Sequence, residues 1–368
     1  MPNDKADDKT VSVGDLRDRI DGIDDELLEL LDKRANLVRD VGKKKRDNAR
    51  AMHDPEREQQ IYARLEEKLT KTSDAAFPVA GVRPVFREVI SACLSLEELI
   101  SVSYFGPQGT FTHMAAQRAF GMAARYVDAA TIPAVFDAVT HGATTYGVVP
   151  FENSTEGGVT FTLDSFLETD VMIRSQIVLD VSQCLVGRHD DLAQIERVYS
   201  HPQAIAQCRE WLFKHLPRAQ LVVSLSTSSA AREAASDDAA AAIASKLAAE
   251  LAGLTVLREG IQDRKENATR FVVLSKTDAP PTGSDRTSLL FSTRDERGAL
   301  RRALEIFDEE GINLSRIESR PRPGERWQYV FFTDLEGHRL DPSVTRALAR
   351  LESKCDMVRV LGSYPRIK

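Results

Sequence analysis

From Ser12 to Arg46 the chain runs without a proline and with apolar side chains at helical spacing, and this stretch constrains the fold more than any other. Ser12-Val13-Gly14-Asp15 forms a capping box at its start. At 1.5 Å per residue the run makes roughly 50 Å of helix, longer than a compact monomer of this size covers, so it needs a partner to bury its stripe. Leu16, Ile20, Ile23, Leu27, Leu30, Val38 and Val41 make up that stripe at about 100° per residue. A second helix opens at Asp54-Pro55, an N-cap followed by proline at the first helical position. A third is expected over residues 82 to 100.

From residue 102 to about 276 short apolar strands (SVSYF, YGVVPF, ERVYS, AQLVVSLS, RFVVLS) alternate with helical stretches, which predicts an α/β region with largely parallel sheets. TDAPPTGSDR (277–286) reads as a polar linker. Beyond it the pattern is β-α-β-β-α-β, the ferredoxin-like order. At roughly 100 to 200 residues per domain, such a chain holds two or three domains. Forty-nine Lys and Arg against 56 Asp and Glu give a net charge of -7, which argues against nucleic acid as the main partner. No apolar run approaches the roughly 18 residues of a membrane span, and MPNDKADDKT lacks the apolar core of a secretory signal, so a cytoplasmic protein is expected. Cys93, Cys184, Cys208 and Cys355 are scattered and read as reduced thiols; with no H-x-x-x-H spacing, no metal site is expected.

Charges sit on the wrong face of the helical region. Arg34 and Lys45 fall on the apolar stripe of the first helix, Arg57 precedes Ile61 and Leu65 at four-residue steps, and Glu97 joins Phe86, Ile90 and Cys93 on the third. Arg17 lies at the stripe's edge. Any one long cation is best read as snorkelling to solvent. Several together are costly without a negative partner, and a small dianionic ligand supplies it. LRDRIDGIDDELLELLDKRANLVRDVGKKK followed by DPERE closely resembles the all-helical chorismate mutases. The resemblance implies two chains interlocked by their first helices, with Arg34, Lys45 and Arg57 acting in one chain and Arg17 entering from the other. It places Asp54 and Glu58 at the substrate hydroxyl, and Glu97 where relatives carry a glutamine that donates to the ether oxygen. A Claisen rearrangement needs a compact conformer and positive charge at the breaking ether oxygen, a role that suits Lys45. An ionised Glu97 cannot donate, so the mutase would need its protonated form.

In the middle region FGPQGTFTHMAA follows a strand and opens a helix, but it is neither a Walker loop nor a dinucleotide fingerprint. Short polar side chains gather where strands end: VVPFENSTEGGV, YSHPQA, LSTSSAA and ENATRF. Taken singly, such serines and threonines are helix caps. No G-x-S-x-G elbow and no nucleophile for His201 speak against a hydrolase. Together these loops resemble the prephenate dehydratases, two-lobed enzymes similar to periplasmic binding proteins. The resemblance implies that Thr269 donates to the leaving hydroxyl of prephenate, while Thr110, Asn153, Ser154, Ser200, His201, Gln203, Ser228, Arg270 and Phe271 bind substrate.

In the last region Gly298, Ala299 and Leu300 stand at a helix start, and Glu318, Ser319, Arg320 and Pro321 at a strand end. A cap and a surface ion pair explain Gly298 and Arg320 taken singly. Together the segments resemble the ACT regulatory domain, which implies phenylalanine as effector. The expectation is therefore a multidomain chain: an all-α chorismate mutase domain (1–100), an α/β two-lobed dehydratase domain (101–277) and an α+β ferredoxin-like ACT domain (285–368). Its ligands would be chorismate, prephenate and phenylalanine, with no cofactor, in a homo-oligomer. Two rivals are a dehydratase whose helical region is only a dimerisation clamp, and a solute-binding sensor without catalysis. Truncation near Lys276 is expected to leave some dehydratase activity without phenylalanine sensitivity.

Overall fold

The computed structural model describes residues 12–47, 55–96, 99–322 and 328–366, excluding the side chains of residues 45–47. By its contacts the chain divides into two compact units, Met1–Asp54 with Ile61–Leu99 and Pro55–Gln60 with Ile100–Lys368.

Three helices form the N-terminal region, α1 (Val13–Asp47), α2 (Pro55–Thr70) and α3 (Val82–Leu94). The capping box closes as expected: Asp15 N–H donates to Ser12 Oγ at 3.1 Å and Ser12 N–H to Asp15 Oδ2 at 3.0 Å. The apolar face of α1 stays open in the single chain, with Leu16, Ile20, Ile23, Leu27 and Leu30 between 45% and 59% exposed. Arg83 on α3 pairs with Glu66 on α2 through Nε and Nη2 (2.6 and 3.0 Å) and covers the buried Tyr62 ring. The third helix ends at Leu94, six residues short of the expected end. The sheet that follows has already claimed the chain there, because the Ile100 carbonyl accepts from Arg125 N–H at 2.8 Å.

The middle region has two lobes. The first contains β1 (Ser101–Phe105), α4 (Phe111–Phe120), β2 (Arg125–Ala129), α5 (Ile132–Thr140), β3 (Tyr146–Asn153), β4 (Gly157–Gly158), α6 (Thr160–Glu168) and β5 (Met172–Asp180). The second contains β6 (Cys184–Gly187), β7 (Arg197–Ser200), α7 (Pro202–Gln207), α8 (Arg209–His215), β8 (Gln220–Val223), α9 (Thr227–Ala234), β9 (Ala240–Ala244), α10 (Lys246–Ala252) and β10 (Thr255–Arg258). The chain then returns to the first lobe as β11 (Ala268–Ser275). The sheets, ordered β2-β1-β3-β11-β5 and β10-β6-β9-β7-β8, are mixed rather than largely parallel. β11 enters antiparallel between β3 and β5, and β6 and β10 run antiparallel to their neighbours. The return crossing between lobes brings β11 in with the opposite direction.

The C-terminal module is β12 (Asp285–Thr293), α11 (Ala299–Glu309), β13 (Leu314–Pro321), β14 (Tyr329–Glu336), α12 (Pro342–Lys354) and β15 (Cys355–Pro365), in the sheet order β13-β14-β12-β15. The expected ferredoxin-like arrangement is present. Its helices cover one face through Leu289, Phe291, Ile306, Phe307, Leu335 and Leu351. The opposite face does not meet water: Leu290, Val330, Phe332, Leu361 and Tyr364 join Val149, Phe151, Phe166 and Val272 of the first lobe in one core.

Residues 277–286 are consequently no free linker. Ala279 is buried and its carbonyl meets His338 Nε2 at 3.0 Å, Asp278 pairs with Arg339, and Asp285 takes Thr282 N–H and Oγ1–H. Where β15 crosses β5, a side chain on Gly362 would collide with the Ile173 backbone, so only glycine lets the strands approach so closely.

Candidate active sites

The densest polar cluster forms at the end of β3 and the start of β11, strands paired with Asn153 opposite Thr269. Asn153 Nδ2 donates to Thr269 Oγ1 at 3.0 Å and to Asn267 Oδ1 at 2.9 Å, while its Oδ1 accepts from Thr155 N–H and Oγ1–H. These partners fix the amide's orientation and occupy both its donors. The Thr269 oxygen is thus an acceptor within the protein, and its own proton meets no acceptor among the described residues. Thr269 is only 8% exposed, so its hydroxyl lies in a nearly dry place, where a hydrogen bond is stronger than in water. Ser154 closes the loop, donating to Glu266 O and accepting from Ala268 N–H.

The second lobe reaches this region through its helix starts. Ser228 Oγ donates to the Gln108 carbonyl, and Ser245 Oγ, which caps α10, donates to the Gly109 carbonyl at 2.8 Å. Gly109 N–H donates to Nδ1 of buried His113, and burial pushes the His113 pKa down against the opposing pull of Asp128. Thr110 caps α4 by accepting from His113 N–H, and it donates to Pro107 O. On the other side Gln203 Nε2 donates to Glu156 Oε2 at 2.6 Å, with His201 capping α7 behind it. Ser200 is fully buried and bonds the Ile243 carbonyl.

Asn153, Ser154 and Thr269 therefore come together, whereas Thr110 and His201 cap α4 and α7 and Gln203 and Ser228 stand in the first turns of α7 and α9. Arg270 and Phe271 do not join them. Arg270 points to the C-terminal module, where its Nη2 lies 2.7 Å from Asp334 Oδ2 and 2.8 Å from Glu152 Oε2. Phe271 is inside the core at 2% exposure. Strand alternation sends Arg270 away from the face that Thr269 uses. The sequence reading missed Asn267, Thr155 and Ser245; ENATRF and the strand-end rule held the signal for Asn267, whereas nothing local marked Ser245. Cys184, Cys208 and Cys355 do not offer thiolates, because burial raises the Cys184 pKa and pushes Cys208 up to about 12 and Cys355 up to about 11.

In the helical region Arg34 is half-buried and its Nη1 is a buried donor with no hydrogen-bond partner among the described residues. Arg17 is exposed on the same helix. Their side chains lean the same way along α1 and stand roughly 25 Å apart at 1.5 Å per residue, so one chain cannot close both on a small ligand. Arg57 Nη1 donates to Gln60 Oε1 at 3.3 Å, and Glu58 is half-buried. The Lys45 side chain, Asp54 and Glu97 lie outside the described residues.

In the C-terminal module the two expected effector segments reach the same end of the sheet, since Ser292 of β12 and Arg320 of β13 both oppose Val330 of β14. Gly298 adopts φ +77 ahead of α11, with Ala299 and Leu300 in its first turn. Ser319 and Pro321 are exposed. Glu318 and Arg320, however, face the first lobe: Arg320 Nη2 lies 3.1 Å from Asp164 Oδ1 on α6, and Glu318 pairs with Arg316 beside Gly158.

Comparison with known proteins gives three matches in order. A chorismate mutase type II family model matches residues 16–98, a prephenate dehydratase model residues 102–279 and an ACT domain model residues 287–353. A bifunctional chorismate mutase/prephenate dehydratase of Aquifex aeolicus is 46% identical over 96% of this chain and 97% of its own length. A prephenate dehydratase of Arthrobacter aurescens, solved in complex with L-Phe, is 38% identical with a TM-score of 0.68 over 73% of this chain and 90% of that one. A protein described as a quorum-quenching acylase is 30% identical with a TM-score of 0.66, over 73% and 98%.

Proposed function

Because the chain belongs to the bifunctional chorismate mutase/prephenate dehydratase family, we propose which of its residues serve each reaction. It converts chorismate to prephenate, and prephenate to phenylpyruvate with release of carbon dioxide and water. Dehydration belongs to the Asn153–Thr269 cluster, and the observation that carries this is the Thr269 hydroxyl, which accepts from Asn153 and keeps its proton. Loss of the ring carboxylate as carbon dioxide pushes electrons into the ring, and the departing hydroxyl needs a donor as it leaves. Thr269 supplies that hydrogen bond; a threonine is too weak an acid to give up the proton before the bond breaks. Ser154, Thr110, His201, Gln203 and Ser228 bind and enclose prephenate, and Ser200 holds its strand in place.

The mutase reaction belongs to Arg34, Lys45, Asp54, Arg57, Glu58 and Glu97 of one chain and Arg17 of a second. Supporting this are the unpartnered Arg34 Nη1, the separation of Arg17 from Arg34 and the open apolar face of α1. A second copy of α1 covers that face, so the working protein is at least a dimer. The C-terminal module binds phenylalanine through Gly298–Leu300 and the Glu318–Pro321 strand, and binding lowers dehydration. Among the described residues no helix is long and apolar enough to cross a membrane. Four buried free cysteines fit a reducing compartment, the cytoplasm.

Site-directed variants of the full chain test the assignment. Thr269→Ala should cost dehydration on the order of 100-fold or more while leaving mutase activity intact. Arg34→Ala should do the reverse, and mixing it with Arg17→Ala chains should restore mutase activity. Loss of both activities in either folded variant, or no recovery after verified subunit exchange, overturns it.

A further inference from the structure

Asn267 stands one residue before β11, its carbonyl accepting from Val181 N–H at 2.7 Å. Placed two residues before Thr269, it shares that side chain's face of the strand. Both meet the same atom, since Asn153 Nδ2 donates to Asn267 Oδ1 at 2.9 Å and to Thr269 Oγ1 at 3.0 Å. The direction of the Asn153 amide is forced. The Thr155 backbone N–H, 2.9 Å from Asn153 Oδ1, can only donate, so the oxygen faces Thr155 and the nitrogen faces the pair on β11.

That direction in turn fixes Asn267. Because it accepts from Asn153 through Oδ1, its Nδ2 is turned elsewhere, and this nitrogen donates to nothing among the described residues. Asn267 is only 4% exposed, and a donor without an acceptor in so closed a place is costly. What little of the residue is open includes this nitrogen, which is not among the sealed polar atoms, so a ligand can reach it. The Thr269 hydroxyl beside it likewise keeps its proton unspent. Bonds of 2.9 and 3.0 Å to one nitrogen leave Asn267 Oδ1 and Thr269 Oγ1 within roughly 6 Å of each other, so both free donors fall within the span of one small ligand.

We propose that Asn267 Nδ2 is a second hydrogen-bond donor to the departing hydroxyl of prephenate, which makes Asn267 a catalytic residue alongside Thr269. As the ring carboxylate leaves as carbon dioxide, the electron pair of its C–C bond enters the ring and the C–O pair goes with the oxygen. That oxygen departs as hydroxide and takes a proton from solvent to become water. Negative charge therefore grows on it through the transition state, where donors already in place are worth most. One threonine is a weak acid; two donors share the charge without either releasing a proton. Asn153 is the brace that holds both. The proposal rests on the assignment of Thr269 above.

The test uses the full-length chain, with prephenate as substrate and the prephenate analogue that lacks the ring hydroxyl as a competitive inhibitor. Asn267→Asp keeps the shape and the acceptor for Asn153 and exchanges the donor for an oxygen that can only accept. kcat should fall by about a hundredfold. The inhibition constant of the analogue, which has no hydroxyl to contact, should change by less than about threefold. A misshapen site, or the new charge repelling a dianion from a distance, would weaken the analogue as well. Wild-type kcat in Asn267→Asp overturns the proposal, and so does an analogue weakened in step with kcat. Should Asn267→Asp fail to fold, Asn267→Ala withdraws the donor without adding charge; the same two readings apply, and unchanged kcat there overturns it too. Thr269→Ala retaining dehydration would instead sink the assignment of Thr269 itself.

Discussion

Gly109 illustrates what a single residue must satisfy at the meeting of two lobes. It adopts φ +86, and a Cβ there would stand 2.8 Å from Ser228 Oγ and 3.1 Å from Ala248 Cα. The left-handed backbone alone costs a non-glycine residue about 1 to 3 kcal/mol. Gly253, which closes α10 at φ +66, has nothing within 4 Å of the same position and carries only that cost. Gly109→Ala should therefore lower the thermal midpoint more than Gly253→Ala, and it alone should depress dehydration while sparing the mutase. Equal midpoints for the two variants would show that the lobes yield at this contact. His113, which holds the Gly109 amide, acts as an acceptor, and its lowered pKa keeps that ring nitrogen unprotonated at neutral pH.

Among the elements, the second lobe is tied at the turn from α9 to β9. Asp237 accepts from Arg197 Nε and Nη2 at 2.6 and 2.8 Å and from Ala239 N–H at 3.1 Å, which lowers its pKa from the ordinary 3.8 to about 2. A depressed carboxyl favours the folded state at any pH above the ordinary value, and this contribution is lost as pH falls through about 2. Thermal midpoints followed between pH 5 and pH 2 should fall more steeply in the wild type than in Asp237→Asn. Parallel curves would mean that the pair is equally formed in the unfolded chain. The same lobe shows how burial overrides propensity. Ala240–Ala244 sits among alanine-rich residues suited to helix, yet it is a strand buried throughout, because small side chains let α9 and α10 lie close on the sheet.

At the scale of the molecule, the first dehydratase lobe and the C-terminal module share one core. Leu290, Val330, Phe332, Leu361 and Tyr364 are each at most 2% exposed against first-lobe residues. Burial of such side chains is worth about 1.5 to 3 kcal/mol each. Truncation near Lys276, which the sequence reading expects to leave some dehydratase activity without phenylalanine sensitivity, exposes this core, and solubility and the dehydratase rate should fall with it. A soluble, fully active fragment ending there would show that the shared core is dispensable. Ion pairs add to this core: Arg320–Asp164 and the Glu152–Arg270–Asp334 chain both cross between module and first lobe.

The sequence alone determined the features that depend on neighbours a few residues away. The capping box and unbroken periodicity of α1, the β-α-β-β-α-β order of the module and the polar loops at strand ends all rest on local chemistry, and all are found in place. Their agreement with three families, in order, made both activities legible from the sequence. Only tertiary structure decided which face each side chain serves. Thr269, Arg270 and Phe271 are adjacent in sequence, but the pairing of β11 and the bulge at Phe151 send them to the Asn153 polar cluster, the module and the core. For the same reason 277–286 looked like a linker: its prolines and polar residues state local flexibility, while the buried contacts of Asp278, Ala279 and Asp285 come from strands far away in the chain. Distant packing has no local signature, because it is set by which surfaces find each other once the elements have formed.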